Sequence, residues 1–196
     1  MDNETASSPF DEIRRTILDE MRRTLNRVSS EEVEALVREV TEAGRVFVAG
    51  AGRSGLVMKA FAMRLTQLGF QVHVVGETTT PAVKSGDLLL IGSGSGVTER
   101  LVHYAGKAVE ADARVAVATA DPGSPAARLA DLVVVIPAPT PKSSKETGGQ
   151  GLRSHQPMAT LFEQCLGVML DAGVKLLMAQ LDETERGMFA RHANLE

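Results

Sequence analysis

Twice in this chain a strand-like apolar run passes through a glycine-rich loop straight into a helix-like run. The first loop, Gly50-Ala51-Gly52-Arg53-Ser54-Gly55, follows Val46-Phe47-Val48. The second, Ser93-Gly94-Ser95-Gly96-Val97-Thr98, follows Leu88-Leu89-Leu90-Ile91. A turn that ends a strand and opens a helix directs several backbone N–H groups at one spot, where the helix dipole favours negative charge. Glycines let a ligand approach such backbone closely, and the hydroxyls of Ser93, Ser95 and Thr98 add donors. The pattern points to a site for a phosphorylated small molecule.

The rest of the chain frames these loops. Residues Met1 to Pro9 are polar and expected to fray. Ile13, Ile17, Met21, Leu25 and Val28 recur at helical spacing, so Phe10 to Val28 reads as an amphipathic helix. Ser29 or Ser30 caps a second helix, with capping-box chemistry between Ser29 and Glu32, and Gly44 ends it. Then strands and helices alternate: Arg45–Val48, helix Leu56–Leu68 closed by Gly69, Gln71–Val75, Leu88–Ile91, helix Thr98–Val109, Arg114–Ala118, a turn and short helix from Asp121, and Leu132–Ile136. Short continuous apolar strands between helices predict a parallel sheet covered on both faces. The irregular stretch Pro137 to Gln156 is long enough to be an active-site segment or an exchanged arm. Pro157 introduces a long apolar helix, Met158 to Leu181, before a short terminal helix.

The expected architecture is a three-layer αβα sandwich around a five-stranded parallel sheet, flavodoxin-like, with extra N-terminal helices. One domain of 196 residues divides into N-terminal helices (1–43), an α/β core (44–181) and a C-terminal helix and tail (182–196). A net charge of -4 gives no general attraction to nucleic acid or to acidic membranes, so any anion site must be local. The single cysteine, Cys165, lies in an apolar run, excludes an intrachain disulfide and fits the cytoplasm. No secretory signal precedes the charged N-terminus, and no apolar run approaches the ~20 residues of a membrane span.

Gly50-x-Gly52-x-x-Gly55 also matches a dinucleotide fingerprint, with Glu77 downstream near the end of the next strand. The second loop argues against that ligand. A dinucleotide does not require a Ser-Gly-Ser-Gly-x-Thr turn at a later strand end, whereas the three terminal oxygens of a phosphate monoester accept many hydrogen bonds.

The loop pair resembles the sugar isomerase (SIS) domain family. Three further segments look like one branch of it, the 6-phospho-3-hexuloisomerases: Gly76-Glu77-Thr78-Thr79-Thr80-Pro81-Ala82, Gln156-Pro157-Met158-x-x-Leu161-Phe162-Glu163-Gln164, and the tail Arg191-His192-Ala193-Asn194-Leu195-Glu196. The resemblance implies interconversion of D-arabino-3-hexulose 6-phosphate and D-fructose 6-phosphate without metal or organic cofactor. It implies a homotetramer and functional coupling to 3-hexulose-6-phosphate synthase in formaldehyde assimilation by the ribulose monophosphate pathway.

That reaction moves a carbonyl from C3 to C2 through a 2,3-enediol. One base on one face can make both proton transfers, with a donor to stabilise the enediolate oxygen. Glu163, in the first turns of an apolar helix, is the first candidate for the base; its alternatives are compensation of the helix N-terminus or a place on a polar face with Gln164. His192 is the second catalytic candidate, for ring opening or carbonyl polarisation, and a terminal tail can reach a neighbouring subunit. His73, His103 and His155 have no comparable argument, though His155 is a candidate substrate contact. The backbone and side chains of Ser93, Gly94, Ser95, Gly96, Val97 and Thr98 are expected to hold the phosphate, with Gly52 and Ser54 meeting substrate and Arg53 pairing with the phosphate or a hydroxyl. Lys142 and Lys145 are lid candidates. No His/Cys/Asp/Glu set has metal-ligand spacing. A sugar-phosphate-binding module without chemistry would keep both loops but need neither Glu163 nor His192. An aldose–ketose isomerase acting on another sugar phosphate is the other alternative.

Overall fold

The computed structural model describes residues 8–141 and 153–194. Lys142, Lys145, the first seven residues and the last two residues of the tail motif lie outside the described residues.

Helix α1 runs Pro9–Leu25 and α2 runs Ser30–Glu42. The expected fraying does not extend to Ser8 and Pro9. The Ser8 hydroxyl accepts from the Asp11 amide, and Pro9 supplies the preset φ of a first helical position. Only half of the capping box forms. The Ser29 hydroxyl accepts from the Glu32 amide at 3.3 Å, but the Glu32 carboxylate instead accepts from the Val135 amide at 2.8 Å, tying α2 to an edge strand. Gly44 does not end α2 in a left-handed turn. Ala43 leaves the helix in an extended conformation, and the Gly44 amide donates to Gly86.

Strand β1 (Val46–Gly50) leads to α3 (Gly52–Gln67), and β2 is Val72–Val74. Strand β3 (Leu88–Gly92) leads to α4 (Glu99–Glu110), followed by β4 (Arg114–Thr119), a 3₁₀ turn at Ala127–Leu129 and β5 (Leu132–Val135). Helices α5 (Thr160–Gln180) and α6 (Glu185–Ala190) complete the chain. Gly69 closes α3 as expected, at φ +96, with the Phe70 amide reaching back to Leu65. Pro157 lies before α5 rather than in it, and Met158 turns at φ +57.

All strand pairings are parallel, in the order β2-β1-β3-β4-β5. The alternation of side chains divides the core. Val46, Val48, Leu88, Leu90, Ala116, Ala118 and Val134 pack under α1, α2, α3 and α5. Phe47, Ala49, Leu89, Ile91, Val115 and Val117 face Leu101, Ala105 and Ala108 of α4. These are the three layers the periodicity predicts. Cys165 is buried in the first core, where desolvation pushes its thiol up to about 11. At the amino ends of the strands Asp87 grips Arg45 with both oxygens, at 3.0 and 2.6 Å, and accepts from the Lys84 amide.

Because α3 packs on one face and α4 on the other, β1 and β3 separate their helices at the carboxyl edge. Gly50 and Gly92 are level in register there, so a crevice opens between the two strand ends.

Candidate functional site

The first glycine loop is barely a loop: only Ala51 separates β1 from α3, and Gly52, Arg53, Ser54 and Gly55 form the first helical turn. Its glycines do different work from the expected close approach of ligand. A Cβ on Gly50 would sit 2.8 Å from the Gly55 Cα, so these two exist to let strand and helix backbones touch. Gly52 alone is open, at φ +57 with nothing within 4 Å of its Cβ position.

The second loop is a compact turn held from within. The Gly96 amide donates to the Ser93 carbonyl and hydroxyl oxygens, both at 3.2 Å, and the Val97 amide makes a long 3.5 Å contact with the Ser95 hydroxyl. Since Ser93 and Ser95 accept, their O–H protons remain to donate. The Ser95 and Thr98 amides make no hydrogen bond among the described residues. A Cβ on Gly96 would overlap buried Ser124, so the turn has no room for a side chain there.

These turns wall a cavity of about 330 Å³ that brings together Gly52, Arg53, Ser54, Ser93, Gly94, Ser95, Thr98 and Glu163. Gly96 and Val97 are not in its lining: their amides serve the turn, and the Val97 side chain is exposed. Thr140 and Pro141 after β5, and Met158 and Ala159 before α5, complete the wall. Thr140 and Pro141 fall in the stretch read as a candidate active-site segment and Met158 in the motif that precedes Glu163, but no residue type singles them out, because only sheet order places the β5 exit beside the β3 loop.

Glu163 sits in the first turn of α5 with its side chain 12 % exposed, and Arg53 meets it: Nε donates to Oε2 at 2.5 Å. The apolar company expected around Glu163 therefore stops short of its carboxylate. The approach to α5 is fixed from beneath by Glu20, a buried carboxylate on α1. Glu20 accepts from the Ser154 hydroxyl and the His155 amide, each at 2.7 Å, and from the Gln156 side-chain amide at 3.1 Å. Burial pushes its pKa up, but these bonds outweigh it and hold the carboxyl below its ordinary range. Glu20 had no visible sequence signal, being one acid among several on a charged helix.

His192 lies elsewhere in this chain. It lines a separate cleft of about 430 Å³ with Arg64, Lys175, Met188 and Phe189, and its ring stacks on Phe189 at 5.9 Å. Arg191 holds that tail down by donating to the Gln67 and Gly187 carbonyls and pairing with Glu183 at 2.6 Å. The other histidines stay out of the cavity lining: His73 packs on Phe47, His103 lies near Tyr104, and His155 contributes its amide to Glu20. Thr80 is a turn residue, its hydroxyl donating to Val74. Glu77 is half-exposed beside Lys59 and outside the cavity. Among the described residues no group of His, Cys, Asp or Glu could hold a metal ion, and no helix is long and apolar enough to cross a membrane.

The SIS domain model matches residues 39–163, a span that runs from α2 to Glu163 itself. A 3-hexulose-6-phosphate isomerase of Mycobacterium gastri is 47% identical over 180 residues, covering 92% of this chain and 88% of the relative. One from Bacillus subtilis is 42% identical over 180 residues, covering 92% and 95%. A crystal structure from Methanococcus jannaschii, from which a 3-hexulose-6-phosphate isomerase function was inferred, superposes with a TM-score of 0.79 at 30% identity, covering 94% of this chain and 99% of that one. The chain belongs to the SIS domain family.

Proposed function

We propose that this SIS-family chain interconverts D-arabino-3-hexulose 6-phosphate and D-fructose 6-phosphate. The observation that carries the reading is that Glu163 shares one cavity with the Ser93–Thr98 turn. A phosphate held by that turn leaves the sugar carbons within a space that also contains a carboxylate. At about 330 Å³ the cavity is near the lower end of ligand clefts, which run ~300–1,000 Å³. That suits one sugar phosphate better than a dinucleotide.

In the forward direction Glu163 takes the proton from C2 of the 3-ketose. The electrons form the 2,3-enediolate on O3, the O2 hydroxyl proton passes to O3, and the same carboxyl returns a proton to C3 as the carbonyl forms at C2. Hydroxyl and amide donors at the start of α3, Ser54 of the cavity wall among them, are proposed to stabilise the enediolate oxygen. The 3-ketose cannot close a five-membered ring, because O6 carries the phosphate. Ring opening is therefore a task only for the fructose side, and His192 is proposed for it. In this chain His192 faces its own cleft, so the proposal places it in the cavity of a neighbouring subunit. Exposed Phe10 and Ile13 on α1, Leu56 on α3 and Phe189 on α6 support self-association, here proposed as a homotetramer. Function alongside 3-hexulose-6-phosphate synthase in formaldehyde assimilation follows from the substrate.

The test is direct. Purified protein is incubated with hexulose-phosphate synthase, ribulose 5-phosphate and formaldehyde, and fructose 6-phosphate is measured. No product above a control lacking this chain refutes the substrate. Mixed oligomers of Glu163→Gln and His192→Ala chains regain activity if the histidine works across subunits, and stay inactive if it does not.

A further inference from the structure

Resting on that reading, we infer that Arg53 couples the phosphate site to the base, so that phosphate in the cradle sets the position of Glu163. Arg53 and Glu163 are the charged residues among the described lining of the cavity. Arg53 uses a single nitrogen, Nε, on a single carboxylate oxygen, Oε2. Its two terminal nitrogens have no partner among the described residues, and neither has Oε1 of Glu163. The Arg53 side chain is 65 % exposed, whereas the Glu163 side chain it holds is 12 % exposed.

A phosphate entering the Ser93–Thr98 turn brings a second anion toward the Glu163 carboxylate. Arg53 starts in the first turn of α3, one strand away from that turn, and its side chain lines the same wall. A planar fork with donors on three nitrogens can hold a carboxylate on one edge and a phosphate on the other. Bridging both, it screens the two anions from each other and fixes the rotamer of Glu163, leaving Oε1 to the substrate carbons. Binding energy from the non-reacting end of the sugar is thereby spent on orienting the base. Arg53 is then a positioning residue for the chemistry as well as a phosphate contact.

A binding cycle tests the coupling without requiring turnover. Inorganic phosphate is titrated by calorimetry into wild type, Arg53→Ala, Glu163→Gln and the double variant. With Arg53 present, Glu163→Gln is expected to change phosphate affinity little, because the anions are screened. With Arg53 removed, the same substitution is expected to tighten phosphate by about threefold or more, the scale of contacting residues in double-mutant cycles. Equal effects in both backgrounds overturn the coupling, as does a wild type that binds no phosphate. Kinetics supply a second readout once wild-type turnover is established. Arg53→Lys, a point charge without the fork, should restore much of the KM lost in Arg53→Ala while kcat stays about 10–100-fold low. Full kcat in Arg53→Ala, with only KM raised, overturns the inference while leaving the isomerase reading intact. Absence of wild-type turnover overturns that reading and leaves the binding cycle decisive for Arg53.

Discussion

Gly52 and Gly96 have nearly the same left-handed backbone, φ +57 and φ +61, and differ in what surrounds them. Replacing each with alanine separates the cost of the conformation from the cost of the space. At Gly52 a Cβ meets nothing within 4 Å, so Gly52→Ala should cost only the left-handed penalty of about 1–2 kcal/mol. At Gly96 the Cβ would overlap Ser124 Oγ and Cβ and lie 3.3 Å from Thr119 Oγ1. Ser124 cannot rotate away, since its Cβ is part of the clash. Nor can its backbone easily shift: it is 1 % exposed, its amide donates to Asp121 and its carbonyl accepts from Arg128. Overpacking of about 1–3 kcal/mol and weakening of the 3.4 Å bond that the Ala127 amide donates to the Ser124 hydroxyl bring Gly96→Ala to roughly 3–6 kcal/mol. That is a large part of the ~5–15 kcal/mol that holds a typical domain folded. Urea unfolding at one fixed protein concentration measures both variants, with a gap of at least about 1 kcal/mol expected between them. Equal destabilisation would show that the second loop yields to a methyl group and is not held rigidly against Ser124.

Glu163→Gln should lower kcat by about 10²–10⁴-fold while retaining affinity for fructose 6-phosphate by calorimetry; unimpaired turnover removes it as the base. Asp87 is pushed up by burial but held lower on balance by the hydrogen bonds and charges of Arg45 and the Lys84 amide, so its folded pKa lies below the unfolded one. Its contribution is complete above about pH 4 and is lost as the pH falls through the folded value. Asp87→Asn should cost about 1.5–3 kcal/mol near neutrality, and its Tm gap from wild type should narrow in acid; a constant gap contradicts the assignment. Glu20→Ala leaves the Ser154 hydroxyl, the His155 amide and the Gln156 side chain without their acceptor. Hydrogen exchange at the His155 amide should accelerate by about tenfold or more, from a lost bond to a charged acceptor worth ~1.5–3 kcal/mol. Unchanged exchange would mean that the segment is held by other contacts.

The layered sheet, the helix order and the polar strand-to-helix turn after β3 were legible because each is written in neighbouring residues: apolar runs, turn glycines, hydroxyls at a strand end. The function of individual glycines was not. Gly50 and Gly55 look like ligand-facing residues in a fingerprint, yet they are matched to each other across a strand–helix contact. Glu32 looks like a capping-box partner, but an edge-strand amide 103 positions away competes successfully for it.

Local periodicity and turn chemistry, readable in the chain itself, determined a parallel αβα sandwich with two strand-to-helix turns at its carboxyl edge. Only the tertiary structure decided that Arg53 meets Glu163 across 110 positions, that Glu20 anchors the approach to α5, and that His192 faces a different cleft from Glu163. The physical reason is range. Backbone preferences act within a few residues, whereas these contacts depend on which strands become neighbours and on which face each helix packs.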